Sequence, residues 1–318
     1  MATIFTLLLR RMATPFRPKP ILPIAKATLG VPPKTGLFAG TGPGYMPRAM
    51  HHPPSEPLSE TDPTPTTAYA PVEIAGADRG ANIVIVCDHA ANTVPRAVAD
   101  GDLGLAPADM ARHIAYDIGA AGVARALGDA LDAPVCLSNF SRLVIDPNRG
   151  EDDPTLLMRL YDGTIIPGNR HADAGEIERR LNLCYRPYHW AVAGLVAARN
   201  RPVILSIHSF TPQLRGRPTR PWHLGILSAA DRRLSDAVLT ALAPAKDIMV
   251  GDNEPYSGAL GGDCMDQHAL RAGLHHTLIE LRQDLIETAD QQAAWAARLA
   301  PVLRQAISQV TTPPSTGA

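Results

Sequence analysis

From residue 81 to 310, short apolar runs alternate with longer stretches of helical periodicity, and that alternation leaves the chain few architectures. Apolar runs over 82–87, 134–137, 143–145, 202–207, 222–227, 248–250 and 276–281 read as strands, and helical patterns cover 108–131, 175–199, 229–242, 265–272 and 290–310. Strands separated by helices of this length require crossover connections. The expectation is an α/β fold: a three-layer sandwich with a mainly parallel, mixed central sheet covered by helices on both faces. In such sheets ligands gather outside the carboxyl ends of the strands.

A chain of 318 residues with 45% hydrophobic content can bury one large core, and residues 76–312 are read as a single domain. Ahead of it the composition changes. No Asp or Glu precedes Glu56, while Arg10, Arg11, Arg17, Lys19, Lys26, Lys34 and Arg48 are basic and prolines recur. Residues 1–75 are therefore expected to be a disordered basic extension. The alternatives are a targeting segment or a start set too early, with Met46 or Met50 as the true beginning. Formal net charge is −1, from 30 basic and 31 acidic residues, so there is no general field for nucleic acid or an anionic membrane, and a small-molecule partner is expected. Cys87, Cys136, Cys184 and Cys264 form no CxxC pair and mostly lie in apolar runs. That pattern favours a reducing, cytoplasmic location.

Three predicted strands carry polar residues where an apolar run should simply stop: His89 after 84–87, His208 after 203–207, and Glu280 within 276–281. Singly, each would be an ordinary capping or surface residue. Together at the ends of parallel strands they offer two imidazoles and a carboxylate, the donor set of a catalytic zinc site with an open position. Asp88, Asp117 and Glu280 could each complete that set. No HExxH helix and no GxSxG elbow occurs. A nucleophile at Cys87 has no evident group to orient His89 as its base. Arg142 and Arg149 flank the run at 143–145 and suit a carboxylate or a polarised carbonyl. The loop Asp252–Gly258 brings Tyr256 and Ser257, which could close over a substrate.

The segments Val86–Ala90, His113–Asp117, Ser141–Arg149, Tyr185–His189, Ile207–Pro212, Asn253–Gly258 and Ile279–Leu285, taken in order, resemble the N-formylglutamate amidohydrolase family, itself similar to the zinc carboxypeptidases. The resemblance implies that His89 and His208 bind zinc and that Glu280 is the general base for water. It further implies that Arg142 steadies the oxyanion and that Asn148 with Arg149 holds the substrate's α-carboxylate. Tyr256, Ser257 and His268 are taken as further substrate contacts. The implied reaction is hydrolysis of an N-formyl or other N-acyl amino acid to the free amino acid and formate or another acid.

Two departures stand out. Zinc carboxypeptidases place a glutamate three residues after the first histidine, where this chain has Asn92, so Asp117 is expected as the third ligand in preference to Asp88. Ser206 also stands where the family tends to carry an aspartate. The competing expectations are a carboxypeptidase or amidase acting on a peptide, and a metal-free binding protein of the same fold.

Overall fold

The computed structural model describes residues 69–312. The extension expected to be disordered lies outside the described residues as far as residue 68. In chain order the elements are β1 (Val72–Ala75), β2 (Ile83–Cys87), α1 (Pro107–Met110), α2 (Ala120–Leu131), β3 (Val135–Ser138), β4 (Leu160–Tyr161), β5 (Thr164–Ile165), α3 (Ala174–Arg180), α4 (Arg186–Ala197), β6 (Val203–Phe210), β7 (Leu224–Leu227), α5 (Arg233–Leu242), β8 (Val250–Asp252), α6 (Cys264–His268), β9 (His276–Arg282) and α7 (Ala289–Thr311).

Seven strands form one sheet in the order β1-β3-β2-β6-β9-β7-β8, and β4 pairs with β5 separately. Strands β3, β2, β6 and β9 run parallel, β1 is antiparallel to β3, and β7 is antiparallel to β9 and parallel to β8. The sheet is thus mixed and mainly parallel, as the alternation predicts. Alternate side chains feed two cores. Ile85, Leu137, Leu205, Ile207 and Ile279 pack under α2, α5 and α7. On the other face, Val84, Val86, Cys136 and Ile204 pack against Tyr188 and Val192 of α4 and the buried run Leu143–Ile145. Among the described residues no helix is long and apolar enough to cross a membrane.

Three of the differences from expectation have a clear local reason. The helix predicted over 108–131 is broken, because the chain leaves α1 at Met110 and re-enters helix at α2. Gly119 caps α2 with φ +78°, and a Cβ there would meet the Ile286 carbonyl at 2.1 Å, so only glycine allows the turn. The run at 143–145 is not a strand. Its backbone folds on itself and onto the following loop, with Val144 N donating to Ser141 O and Asp146 N to Leu156 O, and burial accounts for its apolar character. Finally, Val72–Ala75, placed with the extension in the sequence reading, pairs along β3 from Val72 opposite Ser138 to Ala75 opposite Val135.

Candidate active site

The polar residues that interrupt the apolar strands meet at one end of the sheet. Strand β2 stops at Cys87 and the chain turns through Asp88 and His89. That turn releases the strict alternation that would send the two side chains to opposite faces, so both reach His208. His208 is not the end of its strand, since β6 continues to Phe210. In the parallel register His208 stands opposite Glu280, which puts both on the face covered by α4. Gly225 of β7 is the other neighbour of Glu280, and a Cβ there would lie 2.2 Å from the Glu254 carbonyl oxygen. The glycine therefore lets the 253–258 loop lie against this part of the sheet.

Asp117 is delivered by the break before α2, its backbone N–H bonded to His89 O at 2.9 Å. Its Oδ2 lies 2.8 Å from His208 Nδ1 and 3.3 Å from His89 Nδ1. The opposite nitrogen of each ring has its own carboxylate: His89 Nε2 is 2.7 Å from Asp146 Oδ1, and His208 Nε2 is 3.1 Å from Asp88 Oδ2. Those carboxylates are held in turn. Asp146 Oδ2 accepts from Arg142 Nη2 at 2.8 Å, and Asp88 Oδ1 accepts from Tyr188 Oη at 2.6 Å. Such outer carboxylates set the tautomer of metal-binding imidazoles, keeping the proton on Nε2 and the lone pair on Nδ1. His89, Asp117 and His208 each offer one ligand atom within 4.8 Å of the others, so the donor set fits a divalent ion of the zinc class.

Charge supports that fit. Asp88, Asp117 and Asp146 are all almost fully buried, and among the described residues Arg142, 11% exposed, is the arginine ion-paired with them. Buried charges of one sign must be paired or must hold a cation. Burial would raise the carboxyl of Asp88, yet His208, His89 and the Tyr188 hydroxyl hold it down at about 2. Asp117 and Asp146 are likewise held well below the usual carboxylate range despite burial, Asp117 by His89 and His208 and Asp146 chiefly by Arg142 and His89. Burial alone would strip His208 of its proton, but Asp117 and Asp88 outweigh it and raise its pKa well above 6.5. Without metal, then, a protonated His208 ring bridges the two carboxylates, Nδ1 to Asp117 and Nε2 to Asp88. Glu280 behaves differently: burial, reinforced by the charge of Asp117, pushes it up to about 7 against the pull of His208, His89 and Arg142. Its Oε2 is buried without a hydrogen-bond partner among the described residues. A carboxyl that titrates near neutrality with an uncommitted oxygen is suited to general acid–base work.

The remaining sequence-derived candidates are distributed less evenly. Arg142 joins the cluster, bonded to Asp146 and 3.7 Å from Asp117 Oδ1 through Nη1, over the ring of Tyr161. Asn148 adjoins it, its N–H donating to Asp146 Oδ1 at 2.9 Å. Arg149 turns aside, with Nε on Thr155 Oγ1 and Nη1 on the Asn148 carbonyl. Tyr256 is near enough to Glu280 for that charge to help burial raise its phenol to about 12. Ser257 is exposed, its Oγ accepting from Ala259 N. His268 pairs with His189 instead, Nε2 to Nδ1 at 2.8 Å.

The sequence reading missed Asp146 and Tyr188 as parts of the site, although both lie in quoted segments, and it missed Arg220. The Arg220 guanidinium stacks between Tyr256 and Phe210, 4.7 Å and 5.7 Å from the ring centroids. Its Nη1 donates to Tyr256 Oη at 2.9 Å and Thr211 O at 3.1 Å, and it forms no ion pair among the described residues. Nothing in the local pattern Arg217-Pro-Thr-Arg-Pro221 distinguishes it from a loop arginine.

The sequence matches the description N-formylglutamate amidohydrolase over residues 81–287, which takes in every one of these groups. The chain belongs to that family. Membership makes it a hydrolase of the amidohydrolase kind. Among solved structures, a gene product of Agrobacterium tumefaciens shares 34% identity over 76% of this chain and 96% of its own, with a TM-score of 0.71. An N-formylglutamate amidohydrolase from Ralstonia eutropha shares 22% identity over 76% of this chain and 98% of its own, with a TM-score of 0.59, and shows that the fold is common to both. A comparison with curated proteins gives no match. The matched range contains all the side chains that converge here: Asp88 and His89, Asp117, Asp146, His208 and Glu280.

Proposed function

We propose that this chain hydrolyses the amide bond of an N-formyl or other N-acyl amino acid, N-formylglutamate being the first to test, with one zinc ion held by His89, Asp117 and His208. One observation carries the reading. Both imidazoles turn Nε2 to a carboxylate and Nδ1 to Asp117, while the unpartnered Oε2 of Glu280 belongs to the residue paired with His208 across the sheet. When bound, the ion would polarise the acyl carbonyl and make water more acidic.

The chain's own groups do the rest. Glu280 Oε2 takes a proton from the attacking water and returns it to the leaving amide nitrogen, a transfer that a carboxyl near pKa 7 can make in both directions. Arg142 Nη1, only loosely held at 3.7 Å from Asp117, donates to the oxygen on which negative charge develops. Asn148 and Arg149 are the α-carboxylate holders that the family resemblance suggests. Arg220 adds a second cation, since its Nε and Nη2 have no partner among the described residues while Tyr256 and Phe210 brace its plane. A substrate with two carboxylates suits two such arginines. Tyr256 and Ser257 lie on the loop that would cover it.

The test is formate release from N-formylglutamate by purified protein, before and after chelation and after zinc is restored. Turnover that disappears with the metal and returns with zinc is the expected result. A zinc-loaded protein inert towards N-formyl, N-acetyl and longer N-acyl amino acids would overturn the reading.

A further inference from the structure

A second group of metal-ligating side chains lies beside the first and takes no part in the chemistry above. Cys264 and His268 are four residues apart on α6 and so project from one face of that helix. His189 reaches them from α4. One ligand atom from each lies within 4.8 Å of the other two. The imidazoles of His189 and His268 stack with their centroids 5.1 Å apart and planes 19° from parallel. Cys264 is fully buried and unpaired with any other cysteine. His268, at the C-terminal end of α6, is only partly buried and leaves an approach from outside.

A hydrogen bond between two neutral imidazoles would explain the 2.8 Å contact alone. It would not explain why the remaining nitrogen of His189 is fixed as well. Nε2 of His189 donates to the Pro147 carbonyl at 3.0 Å, which leaves the Nδ1 lone pair facing His268. A backbone carbonyl behind the imidazole is how proteins orient a ligating histidine. The thiol is the third donor at the same point.

We infer that His189, Cys264 and His268 form a second metal site, distinct from His89, Asp117 and His208, for a thiolate- and imidazole-binding divalent ion of the zinc class. Two nitrogens and a sulfur with a fourth position open suit a tetrahedral transition-metal ion and not a hard cation such as calcium or magnesium. Binding requires the Cys264 thiol to lose its proton to solvent and the His268 proton to move from Nε2 to Nδ1. One proton is thus released for each ion bound. The site would stiffen the segment behind the first centre, because Asn148 Oδ1 accepts from Cys264 N at 3.3 Å and Pro147 supports His189, one residue after the Asp146 that holds His89.

Cobalt(II) distinguishes the two sites, since the first offers only nitrogen and oxygen donors and the second a sulfur. Metal-stripped, full-length protein is titrated with cobalt and followed by absorption and by bound-metal analysis. The expected result is two cobalt ions per chain and a near-ultraviolet thiolate-to-cobalt charge-transfer band. That band should vanish in Cys264→Ser and in the more accessible His268→Gln, with one cobalt retained. Wild-type protein that binds cobalt without the band overturns the inference, whether or not either variant folds. So does a band that survives in a folded Cys264→Ser protein. Neither result depends on hydrolytic activity, so loss of the proposed substrate would leave this inference standing, and the reverse also holds.

Discussion

Two histidine pairs sit within a few residues of one another in space, and their surroundings differ in charge. His89 and His208 have a carboxylate at every ring nitrogen, whereas His189 and His268 have a carbonyl, each other and a thiol. The consequence appears in their protonation. His208 is driven well above 6.5, while His268 falls to about 4, burial lowering it first and the neighbouring His189 next. The same residue type, fully buried at His208 and partly buried at His268, thus faces carboxylates in one place and an imidazole and a thiol in the other. A fold can set the preference of an imidazole cluster through its outer partners alone.

The largest effect that would test this contrast is Glu280→Gln. It removes the proton acceptor without touching either histidine pair, so kcat should fall by about 10²–10⁴-fold while metal uptake at both clusters is unchanged. Loss of metal from the first cluster in that variant would mean that Glu280 is a ligand and not a base. Next comes Asp146→Asn, which weakens the support of His89. Metal affinity at the first cluster should drop about 10–100-fold, read by competition with a chelator, and the cobalt–thiolate band of the second should persist.

Arg220→Met should raise KM about tenfold for an N-acyl amino acid with free carboxylates and leave the corresponding amide nearly unaffected, consistent with one charge-assisted contact at a partly exposed site. Equal effects on acid and amide would show that the arginine only braces Tyr256. The smallest effect is in pH. Because the folded-state pKa of His208 is raised, its proton stabilises the metal-free fold fully below 6.5, and that contribution is lost as pH climbs through the raised value. Metal must displace the same proton, so first-cluster affinity should rise by about tenfold per pH unit until the raised pKa is passed, in calorimetric titrations corrected for the second site.

Much of the first cluster was legible because His208 and Glu280 break apolar runs, and His89 follows one directly. Their partners were not. Asp88 meets Tyr188 across 100 residues and His208 across 120, and no local periodicity records contacts at that separation. Asp117 fell inside a predicted helix, and it reaches the site only because that helix breaks ahead of Gly119. Leu143–Ile145 was read as a strand for its apolar character, when burial of a turn carrying Asp146 was the cause. The charge of Arg149 does not reveal that its guanidinium bonds to Thr155, nor does the charge of Arg220 reveal that it stacks on Tyr256.

By itself the sequence determined the layered α/β class, the strand ends at which the histidines emerge and the family to which the chain belongs. Those rest on hydrophobic period and on short ordered segments, both of which are local. The tertiary structure alone decided which carboxylate stands behind which nitrogen, why Glu280 titrates near 7 while Asp88 stays near 2, and that His189, Cys264 and His268 meet. Those depend on desolvation and on pairwise distance, and both exist only once β2, β6, β9, α4 and α6 have been packed together.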